Sequence, residues 1–275
     1  MIFSGYLLVS DLDHTLVEKG QASQRSLEAI KYFTQNGGKF TVATGRHWLT
    51  AKPYYDAAGS NCPAITFGSL VYDIENRKPV WYGSIKDTTK KICRELMDEF
   101  PESGIIIYTL EEIFITRANE ATKMFAEIVG PDYISDYIDV DSIMDKEWVK
   151  VIFADYNTDR ILEMESKAMS RNYPDYQGVR SEPHLYEVNS SSEFSKGTAL
   201  LQLAKHLGIS PEKTCAIGDF YNDVPMLQCA GISATVADAY DDIKEMVDFV
   251  GGRCMEGAVA DFIEYIETTA KEKMV

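Results

Sequence analysis

The sequence predicts an α/β fold: a doubly wound parallel sheet interrupted by an inserted α+β domain. One observation is the alternation of strand-like and helix-like segments in residues 1–82, which resumes after residue 189 and continues to residue 275. The other is the stretch between them, residues 83–189, where neighbouring predicted strands are joined by short turns as in an antiparallel sheet. Because the alternation is interrupted rather than completed, we expect residues 83–189 to be an insertion into the layered domain formed by 1–82 and 190–275.

The first part of the chain has the pattern of β-α-β-α-β units. Leu27, Ile30 and Phe33 recur at roughly helical spacing, and the Asn36-Gly37 pair that follows them is a helix stop signal. Short apolar runs before and after this helix indicate buried strands. The predicted elements are a strand at 6–10, a helix at 26–35, a strand at 39–43, a helix at 50–59 and a strand at 63–67.

The inserted stretch combines helices with paired strands. Its strongest helix signal is an amphipathic segment in which Ile92, Leu96 and Phe100 share one face. A polar turn at 110–112 separates two short apolar runs, which favours a hairpin. The predicted elements are a helix at 86–100, strands at 105–108 and 113–116, a helix at 121–129, a strand at 149–154, a helix at 159–172 and strands at 176–179 and 185–189.

The last part of the chain returns to alternating elements. Gly208 ends a predicted helix, and the strand after it leads into a Gly218-Asp219 pair. The predicted elements are a helix at 196–207, a strand at 214–217, a helix at 222–229, a strand at 232–236, a helix at 241–247, a strand at 249–250 and a closing helix at 256–271.

Composition and charge limit the class of partner. The formal net charge is −16, and a surface this acidic repels phosphate backbones, so we expect no nucleic-acid partner. An anionic small molecule would need a metal ion or local basic groups to approach. None of the five cysteines forms a C-x-x-C pair, and no apolar run approaches about 18–20 residues. We therefore expect reduced thiols, a cytoplasmic location, no membrane contact, and a monomer or weak homo-oligomer.

Two carboxylates follow the first predicted strand. In an extended backbone residues two apart point to the same side, so Asp11 and Asp13 are expected to face one space. Like charges this close resist ionising together unless a cation lies between them. Oxygen ligands without His or Cys favour Mg²⁺, and we predict a magnesium site here.

Three further segments carry polar chemistry at expected strand or helix ends. Thr44, Gly45 and Arg46 follow the second strand, where a hydroxyl and backbone N–H groups can bind an anion. Lys196 begins a helix, the wrong end for a positive charge, which indicates a nearby anion. The segment "IGDFYND" adds carboxylates after a third strand. Ligands bind outside the carboxyl ends of parallel strands, so these segments should converge. The residues of this last segment are Asp219, Asn222 and Asp223.

The four segments, in this order, resemble the motifs of the haloacid dehalogenase superfamily. They are "DLDHT", the threonine of "VATGR", the lysine of "FSKG" and "GDFYND". The resemblance covers nearly the whole chain and implies a Rossmann-like core. The large α/β insertion between the second and third motifs resembles the cap of the Cof-type sugar phosphatases.

The resemblance implies Mg²⁺-dependent hydrolysis of a phosphomonoester. Asp11 would attack phosphorus and form an aspartyl-phosphate, and Asp13 would act as general acid and then as general base. Thr44 and Lys196 would hold phosphate oxygens. Substrate contacts would extend to Gly45, Arg46 and Asn222. The metal would be held by the side chains of Asp11 and Asp219 and by the backbone carbonyl of Asp13. Asp223 would complete the metal site, where it would orient Lys196 or a metal-bound water.

The inserted domain would act as a lid, and its last strands offer candidate specificity residues. Departures from the family pattern concern His14 and the segments 67–69 and 236–239, where relatives often carry Gly, Asn-Gly-Ala and Met-Gly-Asn-Ala.

A small phosphorylated metabolite is the expected substrate, with sugar phosphates leading and nucleotide or cofactor phosphates open. A sugar phosphomutase and a non-catalytic binding relative are the alternatives. The candidate specificity residues on the last strands of the lid, called the lid candidates below, are Arg180, His184, Tyr186 and Glu187.

Overall fold

The computed structural model of the 275-residue chain describes residues 1–171, 176–189, 191 and 193–272. The chain divides into two compact units. The core unit consists of Met1–Tyr82 and Ser195–Val275, and the inserted unit is Gly83–Phe194. Residues 172 and 190, which the sequence placed at the end of a helix and at a domain boundary, lie outside the described residues. Within those ranges no helix combines enough length and apolar character to cross a bilayer.

The first segment of the core unit alternates strands and helices and then ends in a hairpin. Its elements are β1 (Leu7–Asp11), β2 (Val17–Glu18), β3 (Gln21–Ala22), α1 (Gln24–Gln35), β4 (Lys39–Ala43), α2 (Trp48–Ala57), β5 (Ala64–Thr66), β6 (Leu70–Asp73) and β7 (Lys78–Trp81).

The inserted unit contains three α-helices and six strands among the described residues. They are α3 (Asp87–Glu99), β8 (Gly104–Thr109), β9 (Ile113–Arg117), α4 (Glu120–Val129), β10 (Asp136–Tyr137), β11 (Trp148–Ala154), α5 (Thr158–Ser170), β12 (Gln177–Glu182) and β13 (Leu185–Asn189).

The second segment of the core unit restores the α/β alternation. It comprises α6 (Lys196–Leu207), β14 (Thr214–Gly218), α7 (Val224–Cys229), β15 (Ile232–Thr235), α8 (Asp241–Lys244), β16 (Phe249–Val250) and α9 (Ala258–Glu272).

The sheet of the core unit places β1 at its centre. Its strand order is β16-β15-β14-β1-β4-β5-β6-β7, parallel from β16 to β5 and antiparallel at the β6 and β7 edge. Leu7 is in register with Thr214 on one side, and Asp11 is in register with Ala43 on the other. The carboxyl ends of β14, β1 and β4 therefore meet at one edge. This arrangement confirms the predicted α/β fold with a parallel sheet.

Apolar burial on both faces explains why β1 forms a central strand. All five of its residues are buried, and Leu7 and Val9 are fully enclosed. The two side chains belong to a cluster that also contains Ala199, Leu200 and Leu203 of α6. Burying an aliphatic side chain contributes about 1.5–3 kcal/mol, so this packing fixes the strand whose last residue is Asp11.

The inserted unit has its own antiparallel sheet and its own core. The strand order is β10-β9-β8-β11-β13-β12, with antiparallel pairing between neighbours from β9 to β12. Side chains of α3 and α5 pack on this sheet around the fully buried Trp148. The predicted separate antiparallel module is therefore confirmed.

Several element limits differ from the sequence-based expectation. The helix predicted at 50–59 begins at Trp48, because His47 provides its N-cap by accepting from the N–H of Leu49. The helix predicted at 222–229 begins at Val224, because the preceding residues form a turn. The one predicted at 241–247 ends at Lys244. The sequence analysis did not predict the hairpins β2–β3 and β6–β7 or the strand β10, because each of these strands has only two to four residues.

Candidate active site

Lys196 joins two carboxylates from distant parts of the core unit. Its Nζ donates to Asp11 Oδ1 at 2.5 Å and to Asp223 Oδ1 at 2.6 Å. The lysine is 2% exposed, Asp11 is 6% exposed and Asp223 is fully buried. The end of β1, the start of α6 and the turn after β14 thus meet through one buried ammonium, as the topology predicted.

The first turn of α6 holds Lys196 in place. Ser195 is the N-cap, and its side chain and that of Thr198 satisfy each other's backbone N–H groups in a capping box. At the next position a Cβ would lie 2.3 Å from the carbonyl oxygen of Pro225, so only glycine fits at Gly197. This close approach of α6 to α7 places the lysine side chain beside the carboxylate of Asp223.

Asp223 organises the turn that carries Asp219. Its second oxygen, Oδ2, accepts the backbone N–H groups of Asp219 at 3.1 Å and Phe220 at 3.2 Å. A Cβ at Gly218 would lie 2.5 Å from the carboxyl carbon of Asp223. The glycine before Asp219 therefore allows the turn to close tightly around a buried carboxylate.

Three carboxylates form a group that can hold a cation. One oxygen each from Asp11, Asp219 and Asp223 lies within 4.8 Å of the others. The hydroxyl of Thr15, fully buried, donates to Asp219 Oδ1 at 3.1 Å and orients that side chain. Carboxylate oxygens are ligands of hard divalent cations, and three carboxylates that share a single ammonium are costly at a largely buried site. The donor set therefore fits a divalent metal ion.

Electrostatic strain among these groups appears in their pKa values. Burial, followed by repulsion from Asp223, raises the pKa of Asp11 well above its usual value, although attraction to Lys196 opposes this. The same two causes raise the pKa of Asp219 to about 6. Burial alone would lower the pKa of Lys196, but attraction to Asp11 and Asp223 outweighs it and raises the value. One ammonium thus does not compensate three carboxylates.

This imbalance predicts a pH effect on the metal-free protein. The pKa of Asp219 is higher in the folded chain than in the unfolded chain, so protonation favours the folded state. Relative to Asp219→Asn, the wild type should gain about 1 kcal/mol of unfolding free energy between pH 7.5 and pH 5, allowing for partial exposure. Urea unfolding in a chelator measures this difference, with Asp145→Asn in an exposed turn as control. A wild type that loses stability relative to Asp219→Asn on acidification would contradict the prediction.

The side chain of Asp13 does not join the three-carboxylate group. Instead Arg46 donates to both of its oxygens, from Nε at 3.0 Å and from Nη2 at 2.6 Å. The guanidinium carbon also lies 4.8 Å from the ring centroid of Tyr54. The expectation that Asp11 and Asp13 face one cation is not met by their side chains, because β1 ends at Asp11 and the chain turns there. Arg46 holds Asp13 in a fixed orientation at the same sheet edge.

Thr44 is buried with its hydroxyl proton available for donation. Its Oγ1 accepts from the N–H of Arg46 at 3.1 Å, so the hydroxyl can donate its own proton to an anion. A turn after β5 supports this loop, because the N–H groups of Phe67 and Gly68 donate to the carbonyls of Arg46 and Thr44, each at 2.8 Å. Gly45, between the two motif residues, is partly buried.

The remaining predicted residues lie in other environments. Asn222 is exposed in the turn before α7. Of the lid candidates, Tyr186 is fully buried in the core of the inserted unit. Each of the four contacts another side chain of that unit: Arg180 contacts Glu165, His184 contacts Glu182, Tyr186 contacts Tyr176 and Glu187 contacts Lys150.

Two contacts at the site were missed by the sequence analysis. The motif that contains Thr15 predicts no role for this residue, although its hydroxyl orients Asp219. Arg46 was assigned to substrate without its bidentate pair to Asp13. The second contact joins residues 33 positions apart, and no local pattern predicts such a pair. A signal for the first existed, since a threonine is the last residue of the "DLDHT" motif.

Comparison with known proteins identifies the family. The sequence of residues 8–263 matches the family model of the haloacid dehalogenase-like hydrolases. The 5-amino-6-(5-phospho-D-ribitylamino)uracil phosphatase YcsE of Bacillus subtilis is 24% identical over 94% of each chain. A haloacid dehalogenase-like hydrolase from Bacteroides thetaiotaomicron has a TM-score of 0.83 at 22% identity, covering 95% of this chain and 99% of its own. The subclass IIB sugar phosphatase BT4131 has a TM-score of 0.78 at 20% identity, covering 94% and 98%.

The family model and the phosphatase relative extend over nearly the whole chain, and the motif residues lie within the matched range. The predicted family and enzyme class are therefore confirmed, and the chain belongs to the haloacid dehalogenase-like hydrolases.

Proposed function

We propose that the chain is a Mg²⁺-dependent phosphomonoester hydrolase that acts on a small phosphorylated metabolite through an aspartyl-phosphate at Asp11. Sugar phosphates are the leading substrate class. The observation that carries the proposal is the buried ammonium of Lys196 between Asp11 and Asp223, next to the carboxylate of Asp219. A carboxylate held beside a lysine and a cation-binding group is what attack on an anionic phosphoryl group requires.

In the first step Asp11 attacks phosphorus. A bond forms between its carboxylate oxygen and phosphorus, and the bond from phosphorus to the ester oxygen breaks. Lys196 and the hydroxyl of Thr44 hold phosphoryl oxygens and reduce the repulsion between the two anions. Asp13 is the proposed general acid that gives a proton to the leaving alkoxide, and for this transfer its carboxyl group leaves the bidentate pair with Arg46 and turns to the ester oxygen.

In the second step water hydrolyses the aspartyl-phosphate. Asp13, now a carboxylate, accepts a proton from the water as its oxygen attacks phosphorus. The bond between phosphorus and Asp11 breaks, which releases inorganic phosphate and restores the carboxylate. One residue thus serves as acid and then as base at the same place.

The proposed metal site uses the carboxylates of Asp11, Asp219 and Asp223, with the backbone carbonyl of Asp13 as a further ligand. When bound, Mg²⁺ would supply positive charge that neutralises the phosphoryl group and the clustered carboxylates. The raised pKa values of Asp11 and Asp219 support a site built for such a charge.

The comparisons support the substrate class. YcsE is named for a phosphorylated ribitylamino-uracil, and BT4131 is named a sugar phosphatase. Both names describe a phosphate carried on a sugar or a sugar alcohol. Gly45, Arg46 and Asn222 are the proposed further substrate contacts.

The remaining proposals concern organisation and surroundings. We assign catalysis to a core domain, 1–82 and 190–275, and leaving-group selection to a cap domain, 83–189. The acidic charge of −16 supports a protein that binds neither nucleic acid nor anionic membranes. A cytoplasmic monomer or weak homo-oligomer is proposed.

Phosphate release should depend on added metal. Treatment with a chelator is expected to reduce turnover of an aryl phosphate about 100-fold or more, and Mg²⁺ should restore it, because three carboxylates otherwise repel the substrate. Colorimetric phosphate assays with a panel of phosphorylated sugars, nucleotides and cofactors measure both the metal dependence and the substrate class. Full activity after exhaustive chelation would contradict the proposal.

The same panel of esters, followed by ³¹P NMR, separates a hydrolase from a phosphomutase and from a non-catalytic relative. A ³¹P NMR time course should show inorganic phosphate as the product. An isomeric phosphate ester would instead indicate a mutase, and no turnover of any ester with Mg²⁺ would indicate a non-catalytic relative.

A further inference from the structure

Phe67 has a backbone conformation that is unusual for a large side chain. Its φ is 56°, in the left-handed region, and only 2% of the residue is exposed. Among the described residues, the other non-glycine positions with positive φ, which are His14, Lys19 and Arg77, are exposed. Asn, Asp and Gly adopt this conformation readily, whereas a bulky side chain there is strained. Such strain persists only where the surrounding structure imposes it, and it is concentrated at functional sites.

The turn between β5 and β6 imposes the conformation of Phe67. The N–H of Ser69 donates to the carbonyl of Thr66 at 3.1 Å and closes the turn. Both residues between them have positive φ, 56° for Phe67 and 82° for Gly68. Tight hairpin turns of this kind normally carry Asn-Gly, because Asn tolerates the left-handed region. The phenylalanine therefore needs an explanation other than the turn itself.

Two successive N–H groups of this turn hold the loop 44–47. The N–H of Phe67 donates to the carbonyl of Arg46, and that of Gly68 donates to the carbonyl of Thr44, each at 2.8 Å. Successive N–H groups of an extended strand point to opposite sides, so both bonds require a turn at Phe67. The N–H of Arg46 in turn donates to the hydroxyl of Thr44 at 3.1 Å. Hydrogen bonds thus lead from Phe67 through the backbone of Arg46 to that hydroxyl.

The ring of Phe67 holds the other end of the loop through His47. The two ring centroids are 4.6 Å apart at an interplanar angle of 68°, a favourable edge-to-face arrangement. His47 is fully buried and begins α2: its Nδ1 accepts the N–H of Leu49 at 3.2 Å, and its carbonyl accepts those of Thr50 and Ala51 at 3.0 Å. Phe67 therefore packs against an imidazole that the start of the helix keeps in place.

We propose that Phe67 is a positioning residue that holds the hydroxyl of Thr44 in place for the phosphoryl group. The inference rests on the proposed function, in which this hydroxyl contacts a phosphoryl oxygen. Backbone hydrogen bonds at one end and the His47 contact at the other fix the loop 44–47 before a phosphate binds. A donor that is already in place stabilises the transition state without reorganisation, and a misplacement of about 1 Å can reduce the rate about 100-fold.

Replacement of the ring tests the proposal in the whole protein with Mg²⁺. Phe67→Asn suits the left-handed turn but lacks the ring, and Phe67→Leu keeps apolar bulk if the first variant folds poorly. The kcat for an aryl phosphate, per folded molecule, should fall about 10- to 100-fold in Phe67→Asn, with a smaller change in KM, and in the same direction in Phe67→Leu. A residue that only stabilises the fold would lower the urea midpoint but leave this kcat unchanged. That outcome in both variants would overturn the proposal.

Two control variants match the two features of Phe67. Phe3 is fully buried before the start of β1, and its ring centroid is also 4.6 Å from that of another ring, Phe33. Phe3→Leu therefore removes a comparable ring contact. Arg77→Asn relieves a left-handed position in an exposed turn. Both controls should keep kcat within about twofold of the wild type. A loss in Phe3→Leu as large as that in Phe67→Leu would overturn the proposal, because it would trace both losses to stability.

Thr44→Val shows whether Phe67 acts through the hydroxyl. In that background Phe67→Asn should lower kcat/KM by less than about threefold, because the group it positions is absent, and an undiminished loss would overturn the proposal. Calorimetric titration with inorganic phosphate and Mg²⁺ separates this inference from the proposed function, since either single variant should weaken phosphate binding.

Three outcomes of the two measurements are decisive. If the wild type hydrolyses no ester but binds phosphate in a manner that requires Phe67, the proposed function fails and the positioning role stands. If it hydrolyses esters while kcat and phosphate affinity are independent of Phe67, the positioning role alone is refuted. A wild type that neither hydrolyses an ester nor binds phosphate refutes both.

Discussion

Replacement of Asp11 by asparagine is expected to reduce phosphate release by about 1,000-fold or more while the protein stays folded. The amide has no negative oxygen to attack phosphorus, and the structure offers no substitute at the end of β1, where Asp13 is bound to Arg46. Folding should be unaffected or improved, because the change removes one of three clustered carboxylates and the pKa of Asp11 is raised in the folded chain. Steady-state assays and urea unfolding measure the two effects.

A chemical trap distinguishes the nucleophile from a residue that only binds metal. Borohydride reduces an aspartyl-phosphate to homoserine, which mass spectrometry of a quenched wild-type reaction should locate at residue 11. Asp56→Asn, an exposed aspartate paired with Lys52, is the control for kinetics and should behave as wild type. An Asp11→Asn protein within tenfold of the wild-type rate, or homoserine at another residue, would assign the nucleophile elsewhere.

The parallel core was predictable because its signals are local and repeated. Helical spacing in α1 and apolar runs in β1 and β4 require no knowledge of distant contacts. Buried positions such as Leu7 and Val9 follow from the same runs. The short strands β2, β3 and β10 have only two residues each, and a pattern of period two cannot be recognised over that length.

The position of Lys196 was predictable from an apparent conflict in the sequence. A positive charge at the first residue of a helix is unfavourable by itself, and this indicated a nearby anion. The structure shows two such anions, Asp11 and Asp223, at 2.5 Å and 2.6 Å. The preference against a positive charge at a helix N-terminus is violated at Lys196, and the ion pairs that compensate for this belong to the candidate site.

The orientation of the Asp13 side chain could not be predicted from the sequence. The rule that residues two apart share a side holds only while the backbone is extended, and β1 ends at Asp11. Whether the next residues continue the strand or turn depends on contacts such as the pair between Asp13 and Arg46. Arg46 lies after another strand, so the pairing depends on the sheet order and not on local sequence.

Replacement of Lys196 by methionine is expected to lower the free energy of unfolding of the metal-free protein by about 3–5 kcal/mol, a typical cost of removing one partner from a buried ion pair. Methionine fills much of the same volume but leaves Asp11 and Asp223 without a compensating charge. Phosphate release should fall as well, because the ammonium is a proposed phosphoryl ligand. Lys205→Met, an exposed position on the same helix, is the control for the loss of a lysine from α6.

A double variant tests whether the destabilisation comes from unpaired charge. In Lys196→Met/Asp223→Asn the amide oxygen can still accept the N–H groups of Asp219 and Phe220, while one buried charge is removed. The double variant should therefore be more stable than Lys196→Met alone by about 1–2 kcal/mol, although both lack the lysine. Urea unfolding of the four proteins in the cycle measures the coupling between residues 196 and 223. If the two changes destabilise additively, the lysine acts by filling space, and the view that its charge holds the carboxylates together at this edge of the sheet is wrong.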